Sequence, residues 1–255
     1  MSVFVVMRTK VESIGRRSFI TVVAGTAFTP LLTWAGEEVP ALLDHFILGC
    51  DDLDRGVAFV EQRTGVRAAF GGVHPGRGTR NALLSLGERR YLEIMAPDPA
   101  QNVAPGAPVP GSRPSQIAKL RELREPRLVG WAAHPGDLET FAARLRDARI
   151  EFEGPRAGSR QRPDGKILHW KTLALKDDKD GLLPFFIEWS ADSIHPSSDA
   201  PKGCKLTHFA VVTPNTGDLT KIAEPLQVDM PIASGDKSAL QATILGPKGE
   251  LLLTS

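Results

Sequence analysis

Two of the most apolar stretches in this 255-residue chain each carry a carboxylate near their centre. Arg90-Tyr91-Leu92-Glu93-Ile94-Met95 and Pro184-Phe185-Phe186-Ile187-Glu188-Trp189 read as strands dense in aromatic and branched side chains. A carboxylate in such a run is costly to desolvate unless a cation or strong donors meet it. The two runs also occupy matching points of an internal repeat, so the fold must be one built from similar units.

The first unit opens with an apolar strand at residues 42–49. Asp51-Asp52-Leu53-Asp54 then supplies an acidic, capping start to a helix that Gly65 ends. A glycine-rich stretch, Gly71 to Thr79, follows and reads as a loop. Strands are predicted at 81–86 and 90–95. Residues 97–114, rich in Pro, Gly and Ala, read as a linker, with a helix at 115–125.

The pattern then returns. A strand at 128–133 leads to a helix opening on Asp137-Leu138-Glu139, then an Arg-rich polar loop at 155–163, an alternating strand at 167–176 and the closing strand. Superposing the helix starts lays His45 on Gly130; superposing the closing strands lays Glu93 on Glu188. A third pass begins at Lys205, with His208-Phe209 where His45-Phe46 stands and no mid-strand Glu. The organisation expected is a leader (1–38), a first module (41–98), a linker with a short helix (99–126), a second module (127–192) and a third (203–255).

Charge excludes one class of partner. With 31 basic and 30 acidic residues the chain lacks the basic excess of a nucleic-acid binder. Two cysteines without a Cys-x-x-Cys argue against a thiolate zinc site, and whether they pair is left open. Arg16-Arg17 followed by an apolar stretch resembles a twin-arginine export signal, which implies a periplasmic destination; a non-functional leader would leave the protein in the cytoplasm. That stretch is short for a stable membrane span.

A repeated strand-helix-strand-strand-strand unit resembles the vicinal oxygen chelate superfamily. The closer resemblance is to glyoxalase-like proteins, carried by Leu43-Asp44-His45, by the Gly71–Asn81 stretch with its His74-Pro75-Gly76, and by Tyr91-Leu92-Glu93-Ile94. It implies an α+β fold of βαβββ modules forming curved mixed sheets around a cleft. It also implies a divalent metal ion (Fe, Mn, Zn or Ni) held by His45, Glu93 and Glu188, since Gly130 cannot ligate. The activity implied is lyase, isomerase or dioxygenase chemistry on a small molecule with vicinal oxygens.

The residues support part of this independently. Alternation along a strand puts His45 with Leu43 and Ile47, Glu93 with Tyr91 and Met95, and Glu188 with Phe186. The expectation is that both acids look into the cleft, with His74, Arg80, Asn81, Tyr91, Phe186 and His169 binding substrate. Either His169 or Trp170 must face inward. Two other readings stay open: a metal-free module that sequesters a small molecule, and a scaffold whose acids pair with Arg80 or Arg90. A homodimer and a single-chain arrangement are equally compatible with an unpaired third module.

Overall fold

The computed structural model describes residues 39–101 and 114–255. The expected export leader and part of the expected linker lie outside the described residues. Among the described residues no helix is long and apolar enough to cross a membrane.

The first run of elements is β1 (Leu43–Gly49), α1 (Leu53–Thr64), β2 (Ala69–His74), β3 (Thr79–Ser85) and β4 (Tyr91–Pro97). After α2 (Pro114–Glu122) come β5 (Arg127–Ala133), α3 (Leu138–Asp147), β6 (Phe152–Gln161), β7 (Ile167–Leu175) and β8 (Phe185–Trp189). A single turn, α4 (Pro196–Asp199), leads to β9 (Lys205–Thr213), α5 (Thr216–Ala223), β10 (Ile232–Ser234), β11 (Ala239–Gly246) and β12 (Gly249–Thr254). The two equivalent helices start alike. Asp52 accepts the Arg55 N–H at 2.9 Å and Asp137 accepts the Thr140 N–H at 2.7 Å, each satisfying a donor that has no intrahelical partner.

Eight strands form one curled mixed sheet in the order β2-β3-β4-β1-β5-β8-β7-β6. Each half wires its first and last strands as parallel neighbours, β1 with β4 and β5 with β8, and the halves join where β1 meets β5 antiparallel. The result is an α+β fold of curved strands around a cleft. The third run of strands is wired differently. Its order is β10-β9-β11-β12, and the first strand after its helix, not the last, lies parallel to β9. This second sheet covers the convex back of the first: Phe209 packs 6.0 Å from the Phe46 ring and 5.1 Å from Trp131, all three fully buried. Cys50 and Cys204 are both buried free thiols.

Two segments expected to be loops are strands. The glycine-rich stretch forms much of β2, and most of the Arg-rich segment belongs to β6. Both are the outer strands of the sheet, and β6 is exposed or half-exposed along nearly all its length, so neither displays the alternation by which a strand is read from sequence. Gly72 (φ 144°) is placed where a Cβ would lie 2.8 Å from both Arg160 Nη1 and the Gln161 carbonyl. Glycine there lets the two edges of the curled sheet approach.

Alternation along β8 is real, but its sense is opposite to that expected. Phe185, Ile187 and Trp189 face the concave side, while Phe186 and Glu188 face the helices. Phe186 packs 4.3 Å from the Phe141 ring of α3. Glu188 Oε2 accepts the Leu138 N–H at 2.9 Å, closing a second free donor of the α3 start beside Asp137. Aromatic rings stand on both faces of β8, so the side that faces the cleft could not be chosen from sequence. The carboxylate instead went where a helix terminus offers donors. Glu188→Ala should therefore destabilise the fold by about 1 kcal/mol, as loss of a cap does, and Glu188→Gln by less. Urea unfolding measures this, and a change in cleft-ligand affinity in either variant would contradict the assignment.

Candidate functional site

The concave face encloses a cleft of about 250 Å³ lined by His45, His74, Asn81, Tyr91, Glu93, Arg160 and Trp170, with Ile47, Met95, Phe185 and Ile187 as its apolar wall. Its organising group lies behind it. Asp44 is fully buried, and a bulge in β1 sets it: Leu43 pairs with Ala133 and His45 with Ala132, so Asp44 has no partner across β5. The bulge turns its carboxylate from the back face toward the cleft side.

Three donors meet that carboxylate. His45 Nδ1 lies 2.7 Å from Oδ1; Trp189 Nε1 and His195 Nε2 each lie 3.1 Å from Oδ2. The tautomers follow from the partners. The Ser197 N–H donates to His195 Nδ1 at 3.2 Å, so that ring carries its proton on Nε2 and donates to Asp44. Burial alone would raise the Asp44 pKa, but the hydrogen bonds from His195 and His45 outweigh it and hold the carboxyl well below the usual range. An ionised Asp44 only accepts, so His45 donates from Nδ1 and turns Nε2 into the cleft. The His45 ring is stacked on Tyr91, 4.5 Å between centroids at 21°. Burial, with Asp44 and Glu93 nearby, keeps the Tyr91 phenol neutral well above its ordinary range.

Glu93 reaches the same space from β4. Its Oε2 is 3.6 Å from His45 Nε2 and its Oε1 is 3.7 Å from His74 Nε2. The Asn81 amide donates to Oε1 at 2.7 Å and lies 3.4 Å from His74 Nε2. His74 Nδ1 bonds Thr79 Oγ1 at 2.8 Å. Burial pushes His74 down to about 4; the Glu93 charge opposes this, while Arg160 and Arg77 add to it. His74 is therefore neutral at pH 7.

The expected residues thus divide. His45, Glu93, His74, Asn81 and Tyr91 meet in the cleft. Glu188 and Phe186 lie on the opposite face of β8. Arg80 alternates with cleft-facing Thr79 and Asn81 and points away from the cleft, and His169 is exposed while Trp170 turns inward. Asp44, His195, Arg77 and Arg160 were missed as site residues. The Asp44-His45 pair was visible, but strict alternation assigned Asp44 to the back, and the bulge that reverses this has no sequence signature. His195 precedes Pro196 outside every predicted element, and Arg160 lay in the segment that read as a loop.

The three-ligand metal site does not assemble, because Glu93 and Glu188 are on opposite sides of the sheet. The residues of β5 facing His45 and Ile47 are Ala132 and Gly130, neither with a donor, and β8 offers Phe185, Ile187 and Trp189. Among the described residues no group of three or more His, Cys, Asp or Glu side chains is placed to hold a metal ion. The donors come almost wholly from the first half of the sheet, and the second half contributes apolar wall.

Titration of His74 should be visible in stability. Unfolded histidine binds its proton near 6.5, whereas His74 in the fold resists until about 4. The unfolded state gains the proton first, so stability is lost as pH falls from 6.5 toward 4, by at most roughly 3 kcal/mol. His74→Asn should flatten that slope. Urea midpoints at pH 7 and pH 4.5 test it, and equal slopes in variant and parent would refute it.

Comparison with known proteins agrees with this architecture. The family model described as "Glyoxalase-like domain" matches residues 43–226. A hypothetical protein from Staphylococcus aureus has a similar structure, at 20% identity and a TM-score of 0.59, covering 83% of this chain and 84% of that one. Methylmalonyl-CoA epimerase from Mycobacterium tuberculosis matches at 19% identity and a TM-score of 0.40, over 62% of this chain and 92% of its own. A methylmalonyl-CoA epimerase in complex with methylmalonyl-CoA and NH4+ matches at 22% and 0.42, over 61% of this chain and 99% of its own. No curated protein sequence matches the chain. With its family model spanning more than half of the sequence and its strands curled about one cleft, the chain belongs to the glyoxalase-like domain family, on the vicinal oxygen chelate fold.

Proposed function

We propose that this protein is a small-molecule enzyme of isomerase type that moves a proton at a carbon flanked by oxygens, with His45 as the base. One observation carries the reading: the buried, ionised Asp44 grips His45 Nδ1 at 2.7 Å and leaves Nε2 facing the cleft. An imidazole oriented this way accepts a proton at Nε2, and the carboxylate behind it stabilises the imidazolium that results. Glu93, 3.6 Å away, adds negative charge on the same side and is a candidate second proton carrier. The neutral Tyr91 phenol is a donor available to an oxygen that gains charge as the carbon loses its proton. Stacking on Tyr91 keeps the His45 ring in one orientation, which proton transfer requires.

A second reading is a divalent ion drawn to the same acceptors. What favours it is the convergence of His45 Nε2, His74 Nε2 and Glu93, three acceptors that a cation would stabilise. As placed, His45, His74 and Glu93 form no metal-binding group, so they would have to draw together to hold the ion, which would then supply Lewis-acid stabilisation of a chelated oxyanion.

Solvent exchange distinguishes these without a known substrate. Small 2-hydroxy and 2-oxo carbonyl compounds incubated with the protein in D2O should lose the NMR signal of the C–H next to their carbonyl or carboxyl carbon. His45→Asn should abolish the exchange, and Asp44→Asn should slow it by about 100-fold or more, with a loss of stability because Asp44 also receives Trp189 and His195. Exchange undiminished in His45→Asn, or absent for every compound in the parent, would remove the proposal. Exchange that vanishes after chelation and returns with Mn, Fe, Ni or Zn would favour the second reading.

A further inference from the structure

Arg160 is the group in the cleft that the chemistry above does not use. It is 4% exposed, it lines the cleft from β6, and its Nη1 has no hydrogen-bond partner. Its neighbours along the same hairpin are paired: Arg156 with Glu153, and Arg162 with Asp164 and Asp199. Among the described residues no carboxylate lies within ion-pair distance of Arg160. Glu93 faces the same space, close enough to be felt as charge, but it is held by the Asn81 amide. A guanidinium taken out of water without a counter-charge is costly, and a fold that keeps one there gains when an anion arrives.

The surroundings are arranged for that arrival. Glycine at position 72 clears the strand edge beside the guanidinium, since a side chain there would meet Nη1. Arg77 lines the same cleft, half-buried, and adds a second positive charge. The remaining charged lining residues, Lys119, Asp178 and Asp180, are exposed or half-exposed. Arg160 also comes from the second half of the sheet, whereas His45 and Glu93 come from the first. A molecule held between them touches both halves.

We infer that Arg160 is the anion-binding residue of the cleft, and that the molecule presented to His45 is a small 2-oxo or 2-hydroxy carboxylic acid. The inference rests on the proton-transfer reading for the vicinal oxygen, and on Arg160 alone for the carboxylate. The planar fork of a guanidinium matches a carboxylate better than a point charge would. A cleft of about 250 Å³ has room for such an acid and for a larger apolar group attached to it.

Calorimetric titration of the full chain with pyruvate, glycolate and oxalate tests it, with acetone and ethylene glycol as uncharged counterparts. The acids should bind and the uncharged molecules should not. Arg160→Gln should weaken acid binding by about tenfold or more, and Arg160→Lys should fall between. Glu93→Gln, which removes the opposing charge, should tighten it; this variant and Arg160→Lys decide the matter if Arg160→Gln does not fold. His45→Asn should keep acid binding while losing deuterium exchange, so a failure of the proton-transfer reading is seen separately from a failure at Arg160. Equal binding by parent and Arg160→Gln, equal binding of acids and their uncharged counterparts, or no binding of any acid would overturn the inference.

Discussion

A single carboxylate organises this protein's cleft. Asp44 has no contact with solvent, yet it stays ionised because three ring N–H groups converge on it, from β1, from β8 and from the loop before α4. Each of those donors is itself a structural tie. The Trp189 contact fastens the end of β8 to the start of β1, and His195 fastens the segment leading into the third run of strands. Removing Asp44's charge would leave those donors buried without an acceptor. It would also free His45 to rotate or change tautomer. Fold and site thus share one electrostatic centre.

The duplicated sheet has been used unequally. The first half supplies His45, His74, Asn81 and Glu93; the second supplies Phe185, Ile187 and Trp170 as wall, with Arg160 as its buried charge. Gly130 marks the asymmetry most clearly. A Cβ built there meets nothing within 4 Å, so room for a side chain exists and is left as open cleft. A site with its donors on one side and apolar surface with one cation on the other suits a small molecule that is part acid and part hydrocarbon, held in one orientation.

The back of the sheet explains the third run of strands. It shares the strand-helix-strand order of the others, and His208-Phe209 echoes His45-Phe46, but its strands are wired in a different order. Phe209 reaches Phe46 and Trp131 as the apolar cover of β1 and β5, the two strands at the centre of the cleft. Without that cover the bulged strand carrying Asp44 would have water on one face, and burial is what makes its hydrogen bonds selective.

Much of this was legible in the chain itself. The acidic helix starts, the glycine after α1, the repeated strand order and the face shared by Tyr91, Glu93 and Met95 follow from local chemistry and from periods of 3.6 and 2. What remained hidden has a common cause. Period-2 alternation separates the two faces of a strand but does not say which face is concave, so Glu188 was aimed at the cleft when it caps a helix. A bulge adds one residue and reverses the sense, so Asp44 was sent to the back when it orients the base. Edge strands carry no burial pattern, so Arg160 was hidden in a segment that read as loop. Local sequence determined the elements and their repeat. Only the closing of the sheet decided which charges meet, because that depends on contacts between residues far apart in the chain.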